Sequence, residues 1–283
     1  MRGFEKSRSG LAYVRIGQGH PFLLLHGIPG CGATWLPVAR ELSADFELIV
    51  PDLLGFGGSE RPRGLNSLHA AAQADALSCL LDELGLSSIA IAGHDFGGPV
   101  ALLLHARRPE RVSHIALFAT NAFTDTPIPF PLSLTTWPLL GGLAASALFS
   151  RPSLRAMLRM GTGSPRATLA PAAYLGDAGQ GRSIRTIFAG SLSRLNELYA
   201  PVEAQLARIT VPRFVGWGDR DPFFSVAHGQ RTARALGAPL RLYQKAGHFL
   251  PEERPHAIAV DLRRLLENDA RQDQAHTMAG NAA

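Results

Sequence analysis

Short apolar segments alternate with helical segments along the first 120 residues of this chain. Residues 22–26, 88–92 and 111–119 are predicted strands, because each is a short apolar run bounded by turn residues. In the predicted helices between them, apolar residues recur near every third or fourth position, which is the spacing of an amphipathic helix. This alternation predicts an α/β fold in which helices cover both faces of a mostly parallel sheet.

The alternation is interrupted by a long segment without a strand pattern and resumes near residue 211. Helical stretches broken by glycine and proline occupy the interruption, and structureless loops of that length are rare. We therefore predict a core domain formed by residues 1–120 and 201–268, and an inserted helical subdomain at 121–200. Residues 269–283 are polar and rich in alanine, which is typical of a flexible tail.

The segment GHDFGG at 93–98 lies between a predicted strand and a predicted helix. Its glycines allow a tight turn from strand to helix that presents the side chain of Asp95 at the edge of the sheet. A carboxylate in this position can attack carbon and form an ester. The alternative is that Asp95 only caps the following helix, a place where aspartate is common.

Three further segments follow predicted strands. Residues 26–30 read HGIPG, and a glycine–proline turn there can aim the backbone N–H of Ile28 at a developing oxyanion. Asp221 follows a later strand, and His248 lies in a loop after the last one. Ligand sites of parallel sheets gather at the carboxyl ends of the strands, so we expect these residues to meet Asp95 there. A histidine oriented by an acid is the base that hydrolysis of an ester needs.

Five motifs in this order resemble the α/β-hydrolase family, and the resemblance covers about residues 10 to 268. The motifs are HGIPG at 26–30, DLLGFGGS at 52–59, GHDFGG at 93–98, WGDRD at 217–221 and AGHFLPEERP at 246–255. The resemblance implies an α/β-hydrolase fold, in which the insert at 121–200 is the helical cap of the family.

The resemblance also implies roles for single residues. Asp95 takes the position of the nucleophile and His248 that of the general base. Asp221 takes the position of the acid, because the WGxxD pattern of the family places it four residues after the tryptophan. The backbone N–H groups of Ile28 and Phe96 would form the oxyanion hole.

An aspartate at the nucleophile position restricts the reaction, because esterases and lipases of the family have serine there. The chain instead resembles epoxide hydrolases and haloalkane or fluoroacetate dehalogenases, which share an alkyl–enzyme ester that water hydrolyses. The resemblance to epoxide hydrolases implies two cap tyrosines that donate to the departing alkoxide, and Tyr174 and Tyr199 are the two tyrosines of the insert. Amphipathic packing is the alternative for each of them.

Haloalkane dehalogenation is the second interpretation. Haloalkane dehalogenases usually offer halide the N–H of a tryptophan after the nucleophile and often of an asparagine in the HGxP turn, where this chain has Phe96 and Ile28. Fluoroacetate dehalogenases usually have arginine at the position of Phe96. Trp137 of the insert is the remaining indole donor. A non-catalytic ligand receptor is the third interpretation, disfavoured because nucleophile, acid and histidine are all present. We therefore predict hydrolysis of epoxides to vicinal diols.

The basic composition, with 28 Lys+Arg against 23 Asp+Glu, first suggests nucleic acid or an anionic membrane surface as a partner. Most of the excess charge lies in the insert, where Arg151, Arg155 and Arg159 recur every four residues and so share one helix face. That face is typical of a solvated surface, or it steers anionic or polar substrates. No basic stripe with interleaved aromatic residues occurs, so we predict no nucleic-acid partner. The predicted partners are a small hydrophobic substrate and water, with the chain a monomer or homodimer.

No cofactor is predicted. The glycine-rich stretch at 55–59 lacks the GxGxxG pattern, no GxxxxGK[ST] motif occurs, and Cys31 and Cys79 cannot form a metal site alone. The most apolar run, at 138–149, is shorter than the roughly 20 residues of a membrane span. Residues 1–10 lack the apolar region of a secretory signal, so we expect a cytoplasmic protein without a membrane span.

Overall fold

Eight strands form one sheet at the centre of the protein. The computed structural model describes residues 4–128, 130–137, 139–164, 169, 171–176 and 178–280. The strands are β1 (Glu5–Lys6), β2 (Ala12–Ile16), β3 (His20–Leu25), β4 (Phe46–Pro51), β5 (Ile89–His94), β6 (Val112–Phe118), β7 (Arg213–Gly218) and β8 (Leu240–Tyr243). Their order across the sheet is β1-β2-β4-β3-β5-β6-β7-β8, and β3 to β8 all run parallel.

Helices cover both faces of this sheet. They are α1 (Leu36–Leu42), α2 (Ala70–Glu83), α3 (Gly97–Arg107), α4 (Gly141–Leu148), α5 (Arg151–Gly161), α6 (Pro171–Leu175), α7 (Ala178–Leu192), α8 (Leu195–Leu206), α9 (Val226–Leu236), α10 (Leu250–Glu253) and α11 (Pro255–Gly280). None of the helices described is long and apolar enough to cross a membrane.

The alternation of side chains along each strand divides the core into two layers. On β3, Leu23 and Leu25 pack toward the layer that contains residues of α2 and α3, whereas Phe22 and Leu24 pack toward the layer formed with α1 and α11. All four side chains are fully buried, since a strand covered on both faces has no polar side. The predicted α/β class with a mostly parallel sheet is therefore confirmed.

The insert between β6 and β7 contains α4 to α8 and one 3-10 helix, Leu132–Thr136. Its last helix, α8, continues past the predicted boundary at residue 200 and through Pro201, although proline is a common signal of a helix end. Val202 and Leu206 are buried where α8 packs on α3 of the core. Arg166 and Asp177, which contribute to the charge of the insert, lie outside the described residues.

The last helix extends into the end of the chain. The backbone of α11 is helical from Pro255 to Gly280, so most of the segment 269–283, predicted as a flexible tail, continues the last helix. Alanine is the most frequent residue of that segment and has the highest helix propensity of all residues. Residues 281–283 lie outside the described residues.

Candidate active site

Asp95 lies on a strained turn between β5 and α3. Its φ angle of 50° is in the left-handed region, which costs a non-glycine residue about 1–3 kcal/mol and is typical of functional sites. The turn is tight enough to need glycines around it. A Cβ atom on Gly93 would lie 2.4 Å from the carbonyl oxygen of Gly97, and one on Gly97 would lie 2.3 Å from that of Leu25. The close approach of strand and helix therefore holds the Asp95 side chain at the carboxyl edge of the sheet.

Asp95, His248 and Asp221 meet at this edge, because β5, β7 and β8 are parallel and end on the same side. Nδ1 of His248 is 2.9 Å from Oδ2 of Asp221, and Nε2 is 3.5 Å from Oδ2 of Asp95. The other oxygen of Asp221 accepts hydrogen bonds from the backbone N–H groups of Phe223 and Phe224. The acid is thus fixed in place and orients the imidazole.

The HGIPG turn supplies a donor to the second oxygen of Asp95. The backbone N–H of Ile28 donates to Oδ1 of Asp95 over 2.8 Å. Gly27 must be glycine for this approach, since a Cβ atom there would lie 2.4 Å from the Cβ of Asp95. Phe96 precedes the first residue of α3, where backbone N–H groups lack helical partners and favour negative charge.

The charges in this site depend on one another. Burial opposes ionisation of Asp95, but the hydrogen bond and charge of His248 outweigh it and hold the pKa of Asp95 below its ordinary value. Burial likewise opposes protonation of His248, but the carboxylates of Asp221 and Asp95 raise the pKa of His248 to about 10. The resting site therefore holds an ionised aspartate beside an imidazolium at neutral pH.

Two histidines near the site, His94 and His26, form hydrogen bonds with backbone groups. His94 donates from Nε2 to the backbone oxygen of His248 over 2.8 Å, and burial together with the charge of His248 lowers the pKa of His94 to about 4. Nε2 of His26 accepts from the backbone N–H of Leu53. Within the described ranges, no group of three or more His, Cys, Asp or Glu side chains is placed to hold a metal ion.

Tyr174, expected to serve the leaving group, has its hydroxyl engaged by an acidic residue in the structure. The side chain is buried, and its hydroxyl donates to Oε2 of Glu252. Burial and the charge of Glu252 raise the pKa of Tyr174 well above the ordinary value. Its ring packs edge-on against Phe249, with 5.1 Å between centroids. The hydroxyl group is therefore held by Glu252 and the ring by Phe249.

Tyr199 has a different environment. It lies in α8, half-buried against the main core, and its hydroxyl makes no hydrogen bond within the part of the chain that the structure describes. Burial, and then the charge of the Asp95 carboxylate, raises the pKa of the phenol, so Tyr199 stays protonated at neutral pH. Trp137, the alternative indole donor of the insert, is 53% exposed at the surface.

Glu253 is a site residue that the sequence analysis missed. Its buried carboxylate accepts from the backbone N–H groups of Gly247 and Gly163, and so joins the loop that carries His248 to the segment after α5. The backbone N–H of His248 also donates to the carbonyl oxygen of Gly161, the last residue of α5. Glu253 lies within the AGHFLPEERP motif, but the motif alone does not show which of its acidic residues turns inward.

Comparisons with known proteins find similar proteins both in sequence and in fold. Haloalkane dehalogenase 2 of Mycobacterium tuberculosis is 35% identical over 116 residues, which is 41% of this chain and 40% of that protein. Epoxide hydrolase 4 of Mus musculus is 23% identical over 286 residues, covering 92% of this chain and 77% of that protein. The solved structure of the epoxide hydrolase CorEH without ligand superposes with a TM-score of 0.79 at 22% identity, covering 94% of this chain and 99% of that one.

A family model described as the alpha/beta hydrolase fold matches residues 20–255, which is most of the chain. The match spans the strained turn at Asp95, the HGIPG turn and the loop that carries His248. The chain therefore belongs to the α/β-hydrolase family.

Proposed function

We propose that this hydrolase opens epoxides to vicinal diols through a covalent ester on Asp95. The observation that carries the proposal is that the two oxygens of the Asp95 carboxylate have different partners. Oδ1 of Asp95 accepts from the Ile28 N–H, while Oδ2 lies beside Nε2 of His248, which Asp221 orients. A carboxylate held in this way can attack carbon and afterwards present its ester carbonyl to the same N–H.

In the first step, Oδ2 of Asp95 forms a bond to a ring carbon of the epoxide, and the bond from that carbon to the ring oxygen breaks. The electron pair goes to the ring oxygen, which becomes an alkoxide and takes the proton of the Tyr199 hydroxyl. Tyr199 suits this role because its phenol is protonated at neutral pH and lies where the charge of Asp95 acts on it. General acids of this kind contribute typically 10²–10⁴-fold to a rate.

The second step depends on a change in charge. When Asp95 becomes an ester, it loses the negative charge that helped to raise the pKa of His248, so the imidazolium releases a proton to solvent more readily. Nε2 of His248 then removes a proton from water, and the resulting hydroxide attacks the ester carbonyl carbon. Negative charge develops on Oδ1, where the N–H of Ile28 stabilises it.

The cycle closes when the ester bond between Asp95 and the substrate breaks. The departing oxygen takes the proton that His248 removed from water and leaves as the diol. The proton of the regenerated carboxyl group restores Tyr199 through solvent, and His248 takes back from solvent the proton that it released before water attacked. One water is consumed for each epoxide, and no other co-reactant is required.

Haloalkane dehalogenation is the second candidate, favoured by the similarity to haloalkane dehalogenase 2 over 116 residues. It would use the same ester on Asp95, but a halide needs N–H donors. Phe96 and Ile28 offer none from their side chains, and Trp137 is exposed at the surface. Within the described residues, the free phenol of Tyr199 therefore favours an oxygen leaving group.

The two candidates are separated by incubating the purified protein with styrene oxide and, separately, with 1-bromobutane. We expect diol from the epoxide and no bromide release, with Asp95→Ala as the inactive control. Bromide without diol would replace the proposal by dehalogenation. Failure to form either product would contradict both and favour the ligand-receptor interpretation.

A further inference from the structure

The insert carries a concentrated apolar surface. Residues 126–150 contain no charged side chain, and the structure exposes large apolar residues within this stretch instead of burying them. We define the apolar cap patch as five residues that are each more than half exposed: Phe130, Trp137, Leu139, Leu140 and Leu143. Leu139 is 94% exposed and Leu143 is 73% exposed. Isolated exposed leucines are ordinary, but a group of this kind marks an interaction site.

The members of this patch are close to one another in the chain. All five lie between positions 130 and 143. Leu140 directly precedes the first residue of α4 and Leu143 lies in its first turn, so these two side chains, three positions apart, are neighbours. The backbone N–H of Gly141 donates to the oxygen of Trp137, which places Trp137 at the same helix start. The exposed apolar surface is therefore concentrated around the beginning of α4.

Basic side chains lie on the adjoining helix. α5 begins only two residues after α4 ends, and the two helices pack together. Arg151, Arg155 and Arg159 are all exposed on α5, whereas Leu154 and Leu158 are buried on its opposite face. Within the described residues, Arg155 and Arg159 form no ion pair with a carboxylate. Guanidinium groups of this kind match the geometry of phosphate.

We propose that the insert docks on the surface of an anionic lipid membrane, with the apolar cap patch in the acyl boundary and the arginines of α5 on lipid phosphates. Buried apolar area and attraction to anionic head groups are the two contributions that hold amphipathic surfaces on membranes. The apolar cap patch supplies the buried apolar area, and the arginines of α5 supply the attraction to anionic head groups. A second copy of the chain is a poorer match, because two like-charged arginine rows would then face each other in a symmetric contact. This docking does not depend on the proposed reaction.

Sedimentation with lipid vesicles tests the docking directly. We expect the full chain to bind vesicles made of equal parts of phosphatidylglycerol and phosphatidylcholine, and to bind pure phosphatidylcholine vesicles far more weakly. High salt should weaken the binding to the anionic vesicles, because surface electrostatic attraction is screened. Absence of binding to the anionic vesicles would overturn the proposal.

Paired substitutions separate the two contributions. Leu139→Ser with Leu143→Ser should abolish binding, and Arg155→Ser with Arg159→Ser should weaken it ~30-fold, the effect of two basic side chains near an anionic surface. The matched control, Arg208→Ser with Arg234→Ser, removes the same charge from exposed positions outside α4 and α5 and should leave the affinity unchanged. An equal loss of affinity in the control would show that the binding is a general attraction of a basic protein to anionic lipid, and would overturn the proposal.

Fluorescence reports insertion of the patch itself. The chain has three tryptophans, and Trp35 and Trp217 are fully buried, so Trp137 is the one placed to sense a lipid surface. We expect its emission to shift to shorter wavelength on anionic vesicles, and the shift to be absent in Trp137→Phe. If the leucine pair instead halves the molar mass in light scattering and leaves vesicle binding unchanged, the patch is a contact between two copies of the chain and the proposal is wrong.

Discussion

His248 is placed to act in the second step of the proposed reaction rather than in the first. Attack on the substrate uses the ionised Asp95 and the proton of Tyr199 but no base, whereas hydrolysis of the ester needs a base beside it, and Nε2 of His248 is the atom at that position. In His248→Gln we therefore expect the ester to form and to persist. Mass spectrometry of the variant after incubation with styrene oxide should show the mass of the substrate added to the peptide that contains Asp95. Lack of an adduct in His248→Gln would remove the main support for Asp95 as the nucleophile.

The two tyrosines of the insert should respond differently to loss of their hydroxyl groups. Tyr199→Phe should slow formation of the ester by about 10²-fold or more, because the alkoxide loses its proton donor. Tyr174→Phe should leave ester formation intact and lower stability, because it removes the hydrogen bond to the carboxylate of Glu252. Single-turnover kinetics and urea unfolding of both variants check these expectations. A slower ester formation in Tyr174→Phe than in Tyr199→Phe would reverse the assignment.

Glu253 joins the segment that follows α5 to the loop after β8, and this connection fixes the position of His248. Both oxygens of Glu253 accept from the backbone N–H of Gly247, so the NH2 group of Gln would meet that donor in either orientation of the amide and weaken the contact at a cost of about 1–3 kcal/mol. We expect Glu253→Gln to slow hydrolysis of the ester more than its formation and to change the pH profile of hydrolysis, measured by rapid mixing with styrene oxide.

Asp261→Asn is the matched control for this variant. Asp261 is a buried carboxylate that accepts from Tyr243 and from Arg241, and among the residues that the structure describes no hydrogen bond joins it to the loop of His248. We expect a comparable loss of stability without a change in the ratio of the two steps. A similar change of ratio in Asp261→Asn would show that general loosening, and not the position of His248, explains the effect of Glu253→Gln.

The elements that the sequence predicts well are those with a strong local signal. The buried strands β3, β5 and β6 have short apolar runs bounded by turn residues, and the glycines around Asp95 signal the turn that follows β5. Local patterns of this kind do not predict contacts between residues that are far apart in the sequence. The hydroxyl of Tyr174 pairs with Glu252 across 78 positions, so sequence alone left both tyrosines of the insert equivalent. α8 passes through Pro201 because packing against α3 outweighs the local signal for a helix end.

For the molecule as a whole, the site should impose a pH dependence on stability. The pKa of His248 is raised to about 10 in the folded protein, against about 6.5 for an unperturbed histidine. Below about pH 6.5 both the folded and the unfolded state hold the proton of His248, and the full contribution of His248 to the free energy of unfolding is present. As the pH rises from there, the unfolded chain loses the proton first, and the contribution is lost once the pH passes the folded value.

Urea unfolding over this range, compared between the protein and His248→Gln, isolates the contribution because all other titrating groups are common to both. We expect the difference in unfolding free energy to decline as the pH rises from about 6.5 toward 10. Asp95→Asn should show a smaller decline than the unmodified protein, since only Asp221 then raises the pKa of His248. A difference between protein and His248→Gln that is constant across the range would mean that His248 is neutral at rest. The base would then be available before the ester forms, and alkylation of Asp95 would no longer be the event that activates it.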